Sequence, residues 1–267
     1  MMKYKLYDTH CHVNIEQLFP KHDELLKAFD QENIYINVVG TTLEDSILAN
    51  DITKKYNNCS ACIAVHPNDV QQHNLKEVRT TFEQMLSTPN NKIVGIGECG
   101  LDFYYTDQYK AIQYQFLDMH LELANKYKKP LMLHIRNAHK ELVEYLNNKE
   151  ILVPIIFHCF SQDIETYKLL EQLPTKIVRF YSIPGVVTFK NAKALQEVIP
   201  LIKNEQLLVE TDAPFLTPHP FRGKENNSLY LKYTIEKIAE LKNVSVDQIK
   251  QLTFDNAYNL FKPKIKD

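Results

Sequence analysis

The sequence predicts a single (β/α)8 barrel of the TIM type, and three observations support this prediction. Short apolar runs alternate with longer segments of helical periodicity along the whole chain. Some of these runs are almost continuously hydrophobic and β-branched, such as Val-Pro-Ile-Ile-Phe at 153–157, which is typical of parallel strands covered by helices. The chain has 267 residues, close to the roughly 250 residues that are usual for such barrels.

Eight predicted strands account for the apolar runs. They cover Lys5–Thr9, Ile34–Val39, Ala61–Val65, Ile93–Gly97, Pro130–His134, Val153–His158, Val178–Ile183 and Leu207–Thr211. Eight successive strand–helix units close most simply into an α/β barrel. We expect one domain over residues 1–267, because no linker or low-complexity segment interrupts the alternation.

The segments between the runs have helical spacing. Ile112, Phe116, Met119 and Leu123 fall on one face of a helix. Ser245 with Gln248 forms a capping-box pattern before the last helical segment. Prolines at 89 and 174 end two earlier helices, because proline cannot continue a helix.

Composition restricts the class of protein. With 44% hydrophobic and 24% charged residues, the chain is an ordinary globular protein. Its net charge of −2 gives no global attraction to nucleic acid or to an anionic membrane, so any binding of a polyanion requires a local patch. The sequence lacks a signal-peptide pattern and a long apolar span, which predicts a cytoplasmic protein without membrane contact. Oligomeric state is left open, with a monomer as one option.

Five cysteines do not form a disulfide framework in a chain of this length. Cys59 and Cys62 form a C-x-x-C pair, but no second pair follows at the spacing of a zinc site. We therefore interpret both thiols as core residues.

Two histidines at the end of the first predicted strand are candidate metal ligands. His10 and His12 stand two positions apart, so on a strand their side chains point to the same face, while Cys11 between them points toward the helices. Two imidazoles that converge in this way can bind one ion. The His-x-His pair alone is weak evidence, because chance and packing also produce it.

Four further candidates stand at the ends of other predicted strands, and their placement strengthens the metal hypothesis. They are Glu98, His134, His158 and Asp212. In barrels of this type the C-terminal strand ends form the active-site face, which would collect all six side chains. Four imidazoles and two carboxylates suit zinc or manganese, whereas magnesium more often takes oxygen ligands. Six ligands exceed the three that one catalytic zinc takes, so we expect two ions.

Two other cysteines and four other histidines are expected to lie outside the metal site. Cys99 and Cys159 directly follow ligands and are expected to point away from the site as core thiols. Solvated helix faces are the expected locations of four other histidines, His22, His73, His120 and His139.

The motifs around these ligands resemble those of the TatD-related metal-dependent deoxyribonucleases, a family of amidohydrolase-like barrels. The matching segments span nearly the whole chain: Asp-Thr-His-Cys-His at 8–12, Val-His-Pro at 65–67, Gly-Glu-Cys-Gly-Leu-Asp-Phe-Tyr at 97–104, Leu-His-Ile-Arg at 133–136, Phe-His-Cys-Phe-Ser at 157–161 and Glu-Thr-Asp-Ala-Pro-Phe-Leu-Thr-Pro at 210–218. Asn256-Ala257 with Leu260-Phe261 resembles the closing helix of the family.

The resemblance implies a divalent-metal-dependent hydrolase of DNA phosphodiester bonds that acts as a 3′ to 5′ exonuclease on single strands. Zinc, manganese and magnesium are the candidate ions. The resemblance also implies that Glu98 bridges two ions, with His10, His12 and Asp212 at one and His134 and His158 at the other. Asp212 and Glu98 are the expected catalytic carboxylates, and Asp212 either accepts a proton from the attacking water or serves only as a ligand.

Phosphate oxygens need cationic or N–H partners near the strand ends. The candidates for substrate binding are His66, Asn68, Arg136, Arg222 and Lys224. Aromatic side chains at 103–105 are candidates for stacking on a nucleobase or for packing within their own loop. One departure from the family pattern concerns Glu225, which stands where many members carry an arginine and is expected to weaken the attraction of phosphate.

Two other functions are compatible with parts of the pattern. The same barrel and metal site can hydrolyse a small-molecule amide, lactone or phosphate ester, because fold and metal do not select the substrate. A non-catalytic nucleic-acid or protein-binding module is the third hypothesis. The complete set of six ligands argues against that module, since such polar residues are costly at a barrel mouth without a metal.

Overall fold

Eight parallel strands form one sheet in chain order in the computed structural model, which describes residues 3–265. The strands are β1 Leu6–Cys11, β2 Ile34–Val39, β3 Cys59–Ile63, β4 Ile93–Asp102, β5 Leu131–Arg136, β6 Ile155–Phe157, β7 Arg179–Ile183 and β8 Leu207–Val209. Hydrogen bonds between the ends of β1 and β8 bring the first and last strands together: the Asp212 N–H donates to the His10 carbonyl and the His12 N–H donates to the Ala213 carbonyl, at 2.9 and 2.8 Å. The predicted (β/α)8 barrel is therefore confirmed.

Helices follow the strands and cover the outside of the barrel. The α-helices of the described chain are α1 His22–Gln31, α2 Leu43–Lys55, α3 Leu75–Ser87, α4 Lys110–Tyr127, α5 His139–Asn147, α6 Ile164–Glu171, α7 Lys193–Val198, α8 Leu231–Lys242 and α9 Val246–Phe261. Within residues 3–265, no helix combines the length and the apolar character that a membrane crossing requires.

The predicted helix signals are present. Ser245 caps α9: its side chain accepts the Gln248 N–H at 3.2 Å, and the Gln248 side chain accepts the Ser245 N–H at 2.9 Å. On α4, Phe116, Met119 and Leu123 are fully buried, as the helical spacing predicts. Helices α3 and α6 end shortly before the two prolines that were expected to stop them.

Side chains from the strands fill the barrel itself, and α9 closes its N-terminal end. The filling includes Tyr7, Tyr35 and Met132, and the Phe261 ring of α9 stacks on Tyr7 with centroids 5.8 Å apart. Because this end is packed with apolar side chains, the C-terminal ends of the strands form the open face of the barrel.

The strands differ in extent from the predicted runs for local reasons. Strand β6 begins only at Ile155, since the preceding Pro154 has no N–H for the ladder. Strand β8 ends at Val209, because the Thr211 N–H donates to the Asp8 side chain at 2.9 Å instead of to a neighbouring strand. Strand β4 continues five residues beyond the predicted end at Gly97, to Asp102.

Two irregularities in strand pairing lie next to the predicted ligands. The β1–β2 register shifts between Asp8 and Cys11, and the β4–β5 register shifts between Ile96 and Cys99. Such shifts re-aim side chains and are frequent beside active sites. They lie around His10 and Glu98, so simple alternation along an ideal strand does not by itself describe where these side chains point.

Candidate metal centre

The Glu98 carboxylate lies at the centre of the open face, almost fully buried and surrounded by imidazoles. Its Oε1 is 2.7 Å from His134 Nδ1 and 2.8 Å from His158 Nε2. Its Oε2 is 3.3 Å from His10 Nε2 and 3.8 Å from His12 Nε2. Burial alone raises the pKa of Glu98, but the surrounding imidazoles hold it well below the usual range. The side chain is therefore an anion shared by two groups of histidines.

Asp212 completes the group on the Oε2 side. Its Oδ1 lies 3.3 Å from His12 Nε2 and 3.6 Å from His10 Nε2, and these two nitrogens are 3.0 Å apart. The Asp212 backbone has a φ of +54°, which aspartate tolerates better than most residues. All six predicted ligands thus converge on one face, in clusters close enough to hold a metal ion.

The outer ring nitrogens of three ligands face groups that only accept hydrogen bonds. His12 Nδ1 donates to the Val39 carbonyl at 3.0 Å, and His134 Nε2 donates to Asp102 Oδ2 at 3.1 Å. His158 Nδ1 lies 3.3 Å from Glu210 Oε1 but makes no hydrogen bond to any described residue. A nitrogen that donates to such an acceptor carries a proton, so the neutral ring would present the lone pair of the opposite nitrogen to a metal ion in the cluster. That is the tautomer that a metal ligand requires.

His10 follows the same pattern with a softer partner. Its Nδ1 lies 3.0 Å from the Met132 sulfur, a weak acceptor, which leaves Nε2 facing His12 Nε2. These two nitrogens, 3.0 Å apart, can share one proton or can bind a cation through both lone pairs. The donor set therefore fits divalent ions, and the clusters suit zinc or another first-row metal.

Asp102, which the sequence reasoning did not single out, anchors His134. It also accepts hydrogen bonds from the Tyr104 N–H and from Asn68 Nδ2, both at 2.9 Å. Burial raises its pKa, but the hydrogen bonds from His134, Tyr104 and Asn68 outweigh burial and bring it to about 2. The sequence contains one indication of this role: Asp102 stands four residues after Glu98, within the same motif at 97–104.

Glu210 and Asp8 are further buried carboxylates that the sequence reasoning did not assign. Glu210 accepts the Cys159 N–H at 2.7 Å and faces His158. Asp8 accepts hydrogen bonds from the Ser228 hydroxyl at 2.6 Å and from the Thr211 N–H and hydroxyl. Burial raises the pKa of Asp8 to about 6 despite these hydrogen bonds. Asp8 thereby ties the end of β8 and the following loop to β1, beside His10.

A cavity of about 450 Å³ opens onto the cluster. Glu98, His134 and Asp212 form part of its wall, together with the predicted substrate-binding residues His66, Asn68 and Arg136.

The Arg136 guanidinium lies over the Tyr104 ring, 3.5 Å from its centroid, and donates to the Tyr105 hydroxyl at 3.3 Å. Tyr105 is 70% exposed, so its ring is available at the rim of the cavity.

Arg222, Lys224 and Glu225 occupy a different part of the open face. Neither Arg222 nor Lys224 lines the cavity: the Arg222 guanidinium lies 4.4 Å from the Phe189 ring centroid, and the Lys224 ammonium 5.3 Å from that of Phe221. Glu225 forms an exposed ion pair with Lys21 at 2.9 Å. Its negative charge, which was expected to repel phosphate, therefore already has a cationic partner.

The cysteines are all free and most are core residues. Cys99 is buried among apolar side chains, and burial raises the pKa of Cys59 and Cys62 to about 12. Cys159 departs from the expected core position: it is half-buried, with a backbone φ of +48°.

His120 was wrongly placed on a solvated helix face. It is fully buried, and its Nε2 accepts the Val65 N–H at 3.1 Å. It thereby supports the backbone of the loop that carries His66.

Comparison with known proteins agrees with this geometry. The family model described as TatD related DNase matches residues 7–262. The chain is 42% identical to an uncharacterized metal-dependent hydrolase of Mycoplasma genitalium over 96% of this chain and 98% of that protein, and 41% identical, with the same coverage, to one of Mycoplasma pneumoniae. The crystal structure of YjjV, a TatD homologue from Escherichia coli, superposes with a TM-score of 0.88 at 26% identity, covering 98% of this chain and 99% of that one.

We predict that Glu98→Ala removes most bound divalent metal, whereas Cys99→Ala leaves it unchanged. Glu98 contacts both groups of histidines, while Cys99 packs in the core. Metal content of the two purified variants, measured by inductively coupled plasma mass spectrometry, checks this contrast. Similar metal content in two equally folded variants would contradict the central place of Glu98.

We predict that Asp102→Asn and Glu210→Gln each weaken metal binding by about 10- to 100-fold, as is usual when an outer hydrogen-bond partner is replaced. Each amide can turn its NH2 group toward the histidine, which favours the wrong tautomer of His134 or His158. Calorimetric titration of metal into the metal-free proteins measures the loss. Gln113→Ala, which removes the side chain that pairs with the Asp102 backbone, is the matched control and should bind metal much more tightly than Asp102→Asn.

Proposed function

Because the chain is a metal-dependent hydrolase that belongs to the TatD related DNase family, we propose that its substrate is DNA. It would cleave phosphodiester bonds and remove nucleotides from the 3′ ends of single strands. The observation that carries this proposal is the buried Glu98 carboxylate between two groups of imidazoles, beside a cavity with an arginine at its rim. Such a centre suits phosphoryl transfer, which needs positive charge on both sides of the reacting group.

We propose two ion positions. His10, His12 and Asp212 would hold one ion together with Glu98 Oε2, and His134 and His158 would hold the other with Glu98 Oε1. The excess of imidazole over carboxylate ligands favours zinc or manganese over magnesium. Bound ions of this kind lower the pKa of a water molecule and neutralise charge on a phosphoryl group.

Asp212 would accept a proton from the attacking water. It lines the cavity, and burial, which raises its pKa, is outweighed by His12, His10 and His158, which hold the pKa below the usual range. The carboxylate is therefore ionised at neutral pH and available as a base. Glu98 lies deeper, with its two oxygens divided between the two groups of histidines, and would bind metal on both sides.

Substrate would enter along Arg136 and the neighbouring tyrosines. The Arg136 guanidinium can contact a phosphate while its planar face remains on Tyr104. The exposed Tyr105 ring offers a surface for stacking by a nucleobase.

Asn68 would act on the substrate indirectly, because its side chain already donates to Asp102. Arg222 and Lys224 lie outside the cavity, where they would contact the strand at a distance from the scissile bond.

A second candidate function is hydrolysis of a small-molecule phosphate ester, amide or lactone. The volume of the cavity, about 450 Å³, favours it, since this is within the usual range for small-ligand sites. The metal centre serves both reactions equally, so only the substrate separates the two functions.

We predict that the protein shortens 3′ ends of single-stranded DNA, that a chelator abolishes this activity, and that a divalent ion restores it. The test uses strands labelled at the 5′ end, whose product ladder reports polarity directly. The matched substrate is the same strand with a 3′-terminal phosphorothioate, which should slow digestion from that end. Full activity in metal-free protein, or products released only from the 5′ end, would refute the proposal.

We predict that Arg136→Gln raises KM for single-stranded DNA and reduces the salt dependence of binding by about one counterion, because one phosphate contact is lost. Arg79→Gln is the matched control, since Arg79 carries the same charge on α3, where it pairs with Glu122, and does not line the cavity. Steady-state rates at several salt concentrations measure both effects. If the two variants change KM equally, the path along Arg136 is wrong.

A further inference from the structure

A fifth imidazole, that of His66 in the loop after β3, lies beside the metal ligands. Its Nε2 is 3.4 Å from Glu98 Oε1, and its ring meets the His134 ring edge-on with centroids 4.3 Å apart. His66, Glu98 and His134 together are close enough to hold an ion. Distance alone therefore allows His66 to be a fifth histidine ligand.

The hydrogen bond at the opposite ring nitrogen decides against ligation. His66 Nδ1 accepts the Asn68 backbone N–H at 3.1 Å. A backbone amide can only donate, so Nδ1 has no proton, and in the neutral ring the proton is on Nε2. Nε2 therefore presents an N–H to the cavity instead of a lone pair.

This tautomer is the reverse of that found in the ligands. His12 and His134 donate outward, to a carbonyl and to a carboxylate, so their neutral rings would present lone pairs inward to a metal ion. His66 accepts from outside and presents a proton inward. Divalent metal binds the lone pair of a neutral imidazole, so His66 would have to lose this arrangement to become a ligand.

From this contrast we infer that His66 is a catalytic residue which donates a hydrogen bond from Nε2 to a phosphoryl oxygen of the substrate. The inference rests on the proposed phosphodiesterase function. Negative charge on the non-bridging oxygens of the phosphoryl group must be stabilised as the bond to the leaving oxygen breaks. A fixed N–H aimed at the reacting group stabilises that charge without reorganisation.

The surrounding backbone fixes the direction of the donor. The His66 N–H donates to the Thr41 carbonyl at 2.8 Å, and the His66 carbonyl accepts the Asp69 N–H at 2.9 Å. The preceding Val65 N–H is bound by the buried His120. The His66 side chain is 14% exposed and lines the cavity, so it remains accessible to a substrate.

Asp69 is the other charged group that faces His66, apart from Glu98 and His134. Its Oδ2 lies 4.0 Å from His66 Nδ1, and its side chain also lines the cavity. Asp69 thus faces Nδ1, whereas Nε2 faces Glu98 Oε1 at 3.4 Å. Once Glu98 binds metal ions, the Nε2 proton would be available to a substrate oxygen.

The variants His66→Ala and His66→Gln test the inference, with His219→Ala as the control at an exposed histidine outside the cavity. We expect His66→Ala to retain the metal content of the wild type. Its kcat should fall by about 100- to 1,000-fold, as for the loss of one transition-state donor, while KM changes little. His66→Gln keeps an N–H donor and should recover part of kcat. Each variant is assayed with single-stranded DNA and with bis(4-nitrophenyl) phosphate, a small phosphodiester.

Three results would overturn the inference. Loss of one ion per chain in His66→Ala would make His66 a ligand, and an unchanged kcat would remove its catalytic part. Long-range 1H–15N NMR of the metal-loaded wild type reports which nitrogen of His66 carries the proton, independently of activity. Protonation of Nδ1 instead of Nε2 would also contradict the inference. Cleavage of the small diester without cleavage of DNA would refute the DNA substrate, while the effect of His66→Ala on the small diester would still decide the role of His66.

Discussion

The burial of the Glu98 carboxylate is the constraint on which the rest of the site depends. A buried carboxylate without partners costs several kcal/mol in lost hydration, and here imidazoles surround both of its oxygens. These imidazoles come from the ends of β1, β5 and β6, which only a closed barrel brings together. The apolar interior below and α9 at the far end hold the strands in place. The fold is thus the means by which residues far apart in sequence reach one carboxylate.

Hydrogen-bond acceptors behind the histidine rings determine which ring nitrogens can bind a metal ion. Val39 and Asp102 accept hydrogen bonds from the outer nitrogens of His12 and His134, so these nitrogens carry a proton, and Glu210 lies beside the outer nitrogen of His158. Asp102 is itself fixed by Asn68 and the Tyr104 N–H. The loops at the barrel mouth, where catalytic residues of such barrels usually lie, therefore also orient ligands on the strands.

The sequence was sufficient to predict the architecture and the cluster of six candidate ligands. Alternating apolar runs predict the eight strands, and the positions of six polar residues at their ends predict the cluster, because both depend on local pattern and on one property of the fold. The register shifts around His10 and Glu98, the burial of His120 and the pairing of Glu225 with Lys21 were not predicted. Each of these depends on a contact between segments distant in sequence, and no local periodicity encodes such a contact.

The roles of the five histidines show where prediction from residue type ends. His66 and His134 contact the same Glu98 oxygen, and their rings touch, so type and proximity do not distinguish them. What distinguishes them is the outer partner. A carboxylate beside His134 accepts a hydrogen bond from the ring, whereas a backbone N–H beside His66 donates one to it. The first arrangement exposes a lone pair to a cation, and the second exposes a proton to an anion. One cavity wall therefore carries groups that would complement both a metal ion and the proposed phosphate, although the side chains are chemically identical.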